Sequence, residues 1–350
     1  MDSLCYRNAK LLAAVIFGLP GSALAQTIVP GGSDISIPTQ LDDMAVQSST
    51  RPGLFGDLAT GYRYQNTDDL IEVNVFRASY PSASLWFTQA VRRTEQLFAQ
   101  SGLTPIGNPE PFLASSDKPN GMRSLYQVGP PFVSTSIAVV SFGPWLVSVH
   151  STSKSLDVEQ QRKRLDQLLA QIGPPKPVKT VYPLTTPAMC DASKRPAYGR
   201  YGELPFQKVT FEMKPIGGFA AAIASGDAVA ASDGGVAAQP DAYCRRQSES
   251  GKTLWYETKE DAEISRWILP ISETGITIEG IAVPLPDEQG NVKMIGTVLT
   301  NDLSQSSVRG FYTMWPDPVS AQAHALAAFA QGATPYAAVK YGTRNVEIQP

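Results

Sequence analysis

Few residues of this sequence have the types and spacing of a catalytic site. The carboxylates are the first candidates. They cluster at Asp68-Asp69 and at a second group formed by Glu257, Glu260, Asp261 and Glu263. Glycoside hydrolysis needs just two carboxyl groups set across a cleft, one acting as an acid and the other as a base or nucleophile. The second group is therefore a candidate hydrolase site, although neighbouring acids are also typical of exposed turns.

The two histidines, His150 and His324, have no His or Cys partner at the spacing of a metal site, which argues against zinc and haem. Either could be the base of a Ser-His-Asp arrangement, but the Gly-x-Ser-x-Gly elbow is absent from the sequence. We interpret His150 as a residue at a strand end and His324 as part of a packing helix. No metal and no cofactor is predicted.

Glycine-rich segments do not fit nucleotide-binding loops. Ser250-Gly251-Lys252-Thr253 resembles the end of a phosphate-binding loop, but the first glycine of that motif would stand at Arg246. The segment also runs into a predicted strand, whereas the motif requires a helix N-terminus facing the phosphate. Gly217-Gly218 and Gly234-Gly235 lack the dinucleotide-binding spacing after a strand. All three segments predict turns.

Aromatic residues suggest a surface for a ligand or a partner protein. The candidates are Tyr62, Tyr64, Tyr80, Trp255, Trp267 and Trp315. Consecutive aromatics such as Trp255-Tyr256 point to opposite faces of a strand, so at most half could line one surface. The competing interpretation is that most of these rings belong to the core. If a ligand or partner binds, a cleft between domains is the favoured place.

Two cysteines, Cys190 and Cys244, lie outside the N-terminal segment and predict a disulfide bond. Its loop would contain 244 − 190 − 1 = 53 residues, and closing such a loop is worth about 4 kcal/mol in the chain-entropy model. The alternative is a catalytic thiol, for which a Cys-x-x-Cys motif or a nearby histidine would be expected.

The N-terminus reads as a secretory signal peptide. Arg7 and Lys10 precede a short apolar run at 11–19, and Ala23 and Ala25 form an Ala-x-Ala site, which predicts cleavage after Ala25. No later segment reaches the roughly 20 apolar residues that a membrane-spanning helix needs. The expected product is a soluble periplasmic or secreted protein.

The charge distribution argues against nucleic acid as a partner. The chain has 29 basic and 32 acidic residues, and removal of residues 1–25 leaves 27 and 31, a net charge of 27 − 31 = −4. The charges are interspersed, so no basic face is visible.

The most readable stretch is a hairpin followed by a helix. Strands at 136–142 and 145–152 flank Gly143-Pro144, and Trp145, Val147 and Val149 share a face, with Ser148 and His150 on a wetter one. The helix that follows can begin at Ser155 or Asp157 and ends at Gly173.

A similar unit occurs earlier in the chain. Strands at 61–65 and 70–78 precede a helix that Ser82 can cap and that ends at Gly102. Residues 96–102 and 167–173 are identical at five of seven positions, which fits either an internal duplication or the convergence of two amphipathic helices.

We predict an α+β protein of two domains, each a mainly antiparallel sheet with one or two helices packed on one face. The boundaries are a flexible arm at 26–52, a first domain at 53–173, a Pro-rich linker at 174–187 and a β-rich domain at 188–350. In the last domain we expect strands at 206–213, 254–258, 265–271, 275–283, 292–300, 308–314 and 337–348.

Two further segments of the last domain carry specific expectations. Asp317 can cap a helix whose apolar residues are Val319, Ala323, Leu326, Ala327 and Phe329. The segment 216–241 is rich in Ala and Gly and fits either a short helix or an insertion.

The function favoured by the sequence is a non-catalytic exported protein that binds an envelope component or a small ligand. The alternative is a carboxylate-dependent hydrolase that acts on an envelope polymer.

Overall fold

The computed structural model describes residues 27–30, 33–50, 59–78, 80–174, 176, 184–193, 198–199, 243–251, 253–258, 266–271, 274–286, 292–301, 305–312, 315–335, 337–340 and 346–348. The predicted signal peptide, the predicted strand at 206–213 and the Ala/Gly-rich segment 216–241 lie outside these ranges. Within them, the chain forms two eight-stranded antiparallel sheets and three helices.

The first sheet has the order β3-β4-β5-β6-β10-β9-β8-β7 and is flanked by a short β1-β2 pair. The elements are β1 Thr27–Ile28, β2 Ile37–Pro38, β3 Gln40–Leu41, β4 Met44–Thr50, β5 Ala59–Gln65, β6 Asp69–Arg77, α1 Ala83–Leu97, β7 Leu103–Phe112, β8 Gly121–Val128, β9 Ser134–Phe142, β10 Trp145–Ser153 and α2 Val158–Gln171.

The second sheet has the order β12-β13-β14-β15-β16-β17-β19-β20, and β11 pairs with β18 in parallel beside it. The elements are β11 Tyr198–Gly199, β12 Tyr243–Gln247, β13 Leu254–Thr258, β14 Arg266–Pro270, β15 Thr277–Pro286, β16 Val292–Asn301, β17 Gln305–Tyr312, β18 Trp315–Pro316, α3 Pro318–Ala330, β19 Ala337–Lys340 and β20 Val346–Ile348. The single strand predicted at 337–348 is therefore two strands that pair with each other.

The predicted α+β class with antiparallel sheets is confirmed, and the helices of the first sheet lie on opposite faces. Leu165 and Leu168 of α2 pack with Val147 on one face. Trp86 of α1 packs with Leu146 on the other. In an antiparallel sheet, two copies of one unit related by a twofold axis would place both helices on one face, so this arrangement argues against the duplication.

Burial on both faces changes the interpretation of β10. The prediction of one packed and one wetter face is wrong, because Leu146 and Ser148 are as fully buried as Val147 and Val149. The period-two pattern is present, but α1 covers the face that carries the polar residues. Ser148 accepts a hydrogen bond from Asn74 Nδ2 at 3.3 Å there.

The ends of the two predicted helices follow local sequence signals. Asp157 caps α2 in a capping box, in which its side chain accepts from Gln160 N at 2.8 Å and Gln160 Oε1 accepts from Asp157 N at 2.9 Å. Ser82 stands at the N-cap of α1 without a side-chain cap bond, and its hydroxyl lies 2.9 Å from that of Ser84. The predicted end of α1 at Gly102 is too late, because the helix ends at Leu97 with Phe98 as its C-cap, and Gly102, with φ 73°, follows after a turn.

Residues 33–50, placed by the sequence analysis in a flexible arm, contribute β2, β3 and β4. Ile35, Ile37 and Met44 are buried in the core beneath α2. These strands were not predicted because the stretch is mostly polar and only a few of its apolar side chains face inward.

The edge strand of the first sheet was missed as well. The edge strand β7 is exposed along most of its length and contains Pro105 and Pro111, with Gly107 at φ 73°. Proline and glycine are typical of edge strands and bulges, and exposure removes the alternating pattern by which a strand is recognised.

The orientation predicted for α3 is wrong. Asp317 caps the helix, since its Oδ2 accepts from Ser320 N at 2.8 Å. The buried residues are Ala321 and Ala325, whereas Val319 and Leu326 are 39% and 44% exposed. Alanines occur on every side of this helix, so the sequence offers little contrast between its faces.

Candidate functional site

The two sheets meet through α1, which packs on the first sheet with one side and on β13 with another. Tyr256 of β13 is fully buried, and its hydroxyl donates to Leu85 O at 3.1 Å. Gln89 Nε2 donates to Leu254 O at 3.2 Å. Ser84 Oγ donates to Thr185 O at 3.0 Å, which also ties α1 to the segment between the sheets. This contact region is called the junction below.

Helical and strand periodicity bring two arginines to the junction. Leu85, Gln89 and Arg92 are four and three residues apart, so they share one stripe of α1. Arg245 of β12 pairs with Tyr256 in the sheet register, and directly paired residues point to the same face. Arg92 and Arg245 therefore approach Tyr256 from two different elements.

Both arginines have a buried nitrogen without a hydrogen-bond partner. These atoms are Nη1 of Arg92 and Nε of Arg245. Neither arginine takes part in the ion pairs found among the described residues. Burial lowers the pKa of the Arg92 guanidinium, and the nearby Glu95 and Tyr256 oppose that shift.

The phenol of Tyr256 is neutral at the junction. Burial raises its pKa to about 12, while a hydrogen bond with Thr88 and the charges of Arg245 and Arg92 act in the opposite direction. The phenol therefore does not neutralise either guanidinium near neutral pH.

A small cleft opens at the N-terminal end of α1. Its lining residues are Ser82, Ser84, Leu85, Pro187, Tyr243, Tyr256 and Ile268. Its volume of about 10 Å³ is close to that of one water molecule. It is too small for a sugar ring, so it gives no support to a polymer-cleaving site.

Arg266 connects the two sheets further along the junction. Its Nη1 donates to Tyr80 OH at 3.0 Å, and its Nε lies 3.5 Å from Glu279 Oε2. Glu279 is fully buried and accepts hydrogen bonds from Thr277 Oγ1 and Asn301 Nδ2. This carboxylate is held by structural contacts.

Glu257 occupies the opposite face of the second sheet. It is buried and accepts from Trp255 Nε1 at 2.7 Å, from Arg246 Nε at 2.5 Å and from the hydroxyl of Tyr198. Glu257 pairs with Trp267 and Trp267 pairs with Gly280, so Glu279 faces the other way. The two buried glutamates cannot act across one cleft.

The predicted disulfide joins Cys190 and Cys244 with an S–S distance of 2.07 Å. Cys244 pairs with Glu257 in the sheet register, so the disulfide lies beside the Glu257 cluster. Backbone bonds from Cys190 N to Arg245 O at 3.0 Å and from Arg245 N to Ala188 O at 2.8 Å hold the incoming segment along β12.

The six aromatic candidates do not form one exposed surface. Tyr62 and Tyr64 lie in the core beneath α2, and Tyr64 OH donates to Pro38 O at 2.5 Å. Tyr80 is buried at the junction, while Trp255 and Trp267 are buried beneath α3. Trp315 is half-buried and packs against Tyr198 at 5.5 Å between ring centroids.

The other predicted chemical groups are dispersed. Asp68 is exposed, whereas Asp69 is buried and lies 2.9 Å from Arg164 Nη1. His150 Nδ1 lies 3.5 Å from Thr94 Oγ1, and His324 is on an exposed side of α3. Glu260, Asp261 and Glu263 lie outside the described residues.

The described part of the chain contains no group of three or more His, Cys, Asp or Glu residues placed to hold a metal ion. None of its helices has the length and apolar character needed to cross a membrane.

Sequence reasoning missed Arg92 and Arg245. Single arginines on a helix and on a strand are ordinary, and only the pairing of β12 with β13 and the position of α1 bring these two to one tyrosine. The sequence does not single out these two arginines by their charge. Arg93 and Arg246, which directly follow them, carry the same charge but lie in different surroundings.

No protein-family model, curated protein or solved structure matches this chain.

Proposed function

We propose that this is an exported, non-catalytic protein that binds an envelope component or a small ligand at the junction of its two sheets. The observation that carries the proposal is the pair of unpartnered guanidinium nitrogens of Arg92 and Arg245. Buried donors in folded proteins are nearly always paired, so a donor left open at a junction is a candidate for recognition.

The disulfide supports the exported part of the proposal. Disulfide bonds persist in oxidising compartments and are rare in the cytosol, and the N-terminal segment has the pattern of a cleavable leader. Expression of the full chain in its native host, followed by fractionation and N-terminal sequencing, tests this. We expect the mature chain to begin at Gln26 in the periplasm or medium, and an uncleaved cytoplasmic protein would contradict it.

Binding is tested by capture under native conditions. The tagged precursor is produced in its native host, crosslinked gently and purified, and co-purifying molecules are identified by mass spectrometry. A tagged, exported protein of unrelated fold serves as the control. A reproducible stoichiometric envelope partner or bound ligand supports the proposal, whereas an empty result with folded protein counts against it.

Measurements of turnover distinguish the hydrolase alternative from the binding proposal. It requires two carboxyl groups across a cleft, and the buried pair Glu257 and Glu279 lies on opposite faces of the sheet. Hydrolysis assays on envelope polymers are combined with the single changes Glu260→Gln, Asp261→Asn and Glu263→Gln. Turnover that one of these changes abolishes without altering unfolding would favour the enzyme and overturn the binding proposal.

A further inference from the structure

We infer that Arg92 and Arg245 together form a receptor for an oxyanion, the carboxylate or phosphate group of the ligand. This inference rests on the proposed function and names the chemical class that the junction recognises. It is carried by two arginines on different elements that lie on the side of one buried phenol, in a place where the described residues supply neither of their buried nitrogens with an acceptor.

The convergence follows from the two elements that carry the arginines. Arg245 is paired directly with Tyr256, and the stripe of α1 that holds Arg92 also carries Leu85, whose carbonyl receives the Tyr256 hydroxyl. The phenol stays protonated near neutral pH and so balances neither positive charge. An anion at this place would supply the buried guanidinium nitrogens with an acceptor.

The neighbouring arginines provide a comparison within the same elements. Arg93 lies 3.5 Å from Glu72, and Arg246 lies 2.5 Å from Glu257. The residues that directly follow Arg92 and Arg245 are thus matched with carboxylates on the opposite sides of α1 and β12. The lack of an acceptor therefore distinguishes Arg92 and Arg245 from the arginines that directly follow them.

Guanidinium chemistry sets the class of ligand. Each group offers five N–H donors in a planar fork, which suits the two or three oxygens of a carboxylate or a phosphate. Both arginines are half-buried, and one nitrogen of each is fully buried. Glu95, one turn beyond Arg92, is exposed, and its charge acts to raise the pKa of the Arg92 guanidinium.

The direct test measures anion binding by the purified mature full-length protein. Sodium phosphate and sodium succinate are titrated separately at constant ionic strength against sodium chloride, with calorimetry and thermal unfolding as readouts. We expect a saturable rise of the unfolding temperature and saturable heat with at least one of the two anions. The stronger of them identifies phosphate or carboxylate as the group recognised.

Matched variants assign the binding to the junction. Arg92→Gln and Arg245→Gln should each weaken the anion by about tenfold or more, because each removes charged donors from it. Arg93→Gln removes the same charge from the next position of α1 and should leave the affinity unchanged. Equal weakening by all three variants would mean general charge attraction and would overturn the inference.

The unfolding temperature without added anion is a second readout, which tests the inference even if the glutamine variants fold poorly. Arg92→Met removes an unpartnered donor, so without added anion this variant should unfold at a temperature no lower than the wild type. A purely structural role for Arg92 would lower it. The inference is overturned if neither anion binds the wild type, even where a partner is captured, whereas anion binding together with proven turnover would overturn only the non-catalytic function.

Discussion

At the scale of single residues, the surroundings of Glu257 are those of a structural carboxylate and not of a catalytic one. Its side chain is 4% exposed, that of its partner Arg246 is 11% exposed, and Trp255 and Tyr198 supply further donors. A catalytic acid or base needs a free route to a substrate, and these contacts occupy the carboxylate. Its role is to hold β13 against β12 and the β11 segment.

We therefore expect Glu257→Gln to lower the free energy of unfolding by about 2 to 4 kcal/mol, because the change leaves a buried guanidinium without its counter-charge. Chemical denaturation measures this. Asp117→Asn, at an exposed carboxylate between β7 and β8, is the control and should change stability little. A Glu257→Gln protein as stable as the wild type would show that the cluster is not structural.

Tyr256, again a single residue, makes the stability of the fold depend on pH. Its pKa is raised from 10.0 to about 12, so the folded state favours the protonated phenol. The resulting stabilisation is fully present below about pH 10 and is lost as the pH rises through about 12.

We expect the unfolding free energy of the wild type to decline across that window and the decline to be shallower in Tyr256→Phe. Denaturant unfolding at several alkaline pH values, with tyrosinate absorbance recorded in parallel, checks it. Below pH 10 the same variant should lose about 1 kcal/mol, the worth of the hydrogen bond to Leu85 O. An identical alkaline slope in both proteins would contradict the assignment.

At the scale of elements, Asn120 holds the exposed edge of the first sheet. Its side chain is fully buried, where Oδ1 accepts from Ala114 N at 2.8 Å and Nδ2 donates to Ala114 O at 2.8 Å and Ser141 O at 2.9 Å. These bonds connect the end of β7 to β9 across the turn. An edge strand with two prolines depends on such a clamp, because its own ladder is interrupted.

Asn120→Ala should cost about 2 to 3 kcal/mol, since it leaves buried backbone groups unpaired. Hydrogen exchange should become faster in β7 and the following turn than in β9. Asn108→Ala, at an exposed position of β7, is the matched control. Uniform exchange throughout the sheet would instead indicate that Asn120 acts on the whole fold.

At the scale of the whole molecule, the disulfide and α1 are the long-range connections. Cys190 and Cys244 join the segment that follows the first sheet to β12 of the second, and α1 lies between the two sheets. Loss of the disulfide should therefore be felt in the second sheet and at the junction.

We expect Cys190→Ser/Cys244→Ser to lower the unfolding free energy by about 4 kcal/mol, the value for closing a loop of 53 residues. Reductant should have the same effect on the wild type and none on the double variant. Denaturant unfolding with and without reductant measures both. Wild-type stability that is independent of reductant would contradict this assignment.

Local signals in the sequence determined much of the secondary structure. Gly143-Pro144 predicted the β9–β10 hairpin, Asp157 and Asp317 marked helix starts, and Cys190 had only Cys244 to pair with among the residues after position 25. These features were predictable because turn geometry, capping and cysteine pairing depend on residues near each other or on a small count.

Tertiary structure alone decided which faces are covered. Ser148 is buried because α1 crosses β10, and Val319 is exposed because an alanine-rich helix can pack on several sides. The placement of both Arg92 and Arg245 near Tyr256 depends on strand pairing and helix placement across more than 150 residues of chain, and no local pattern encodes that. The junction, and with it the candidate site, therefore comes from long-range packing.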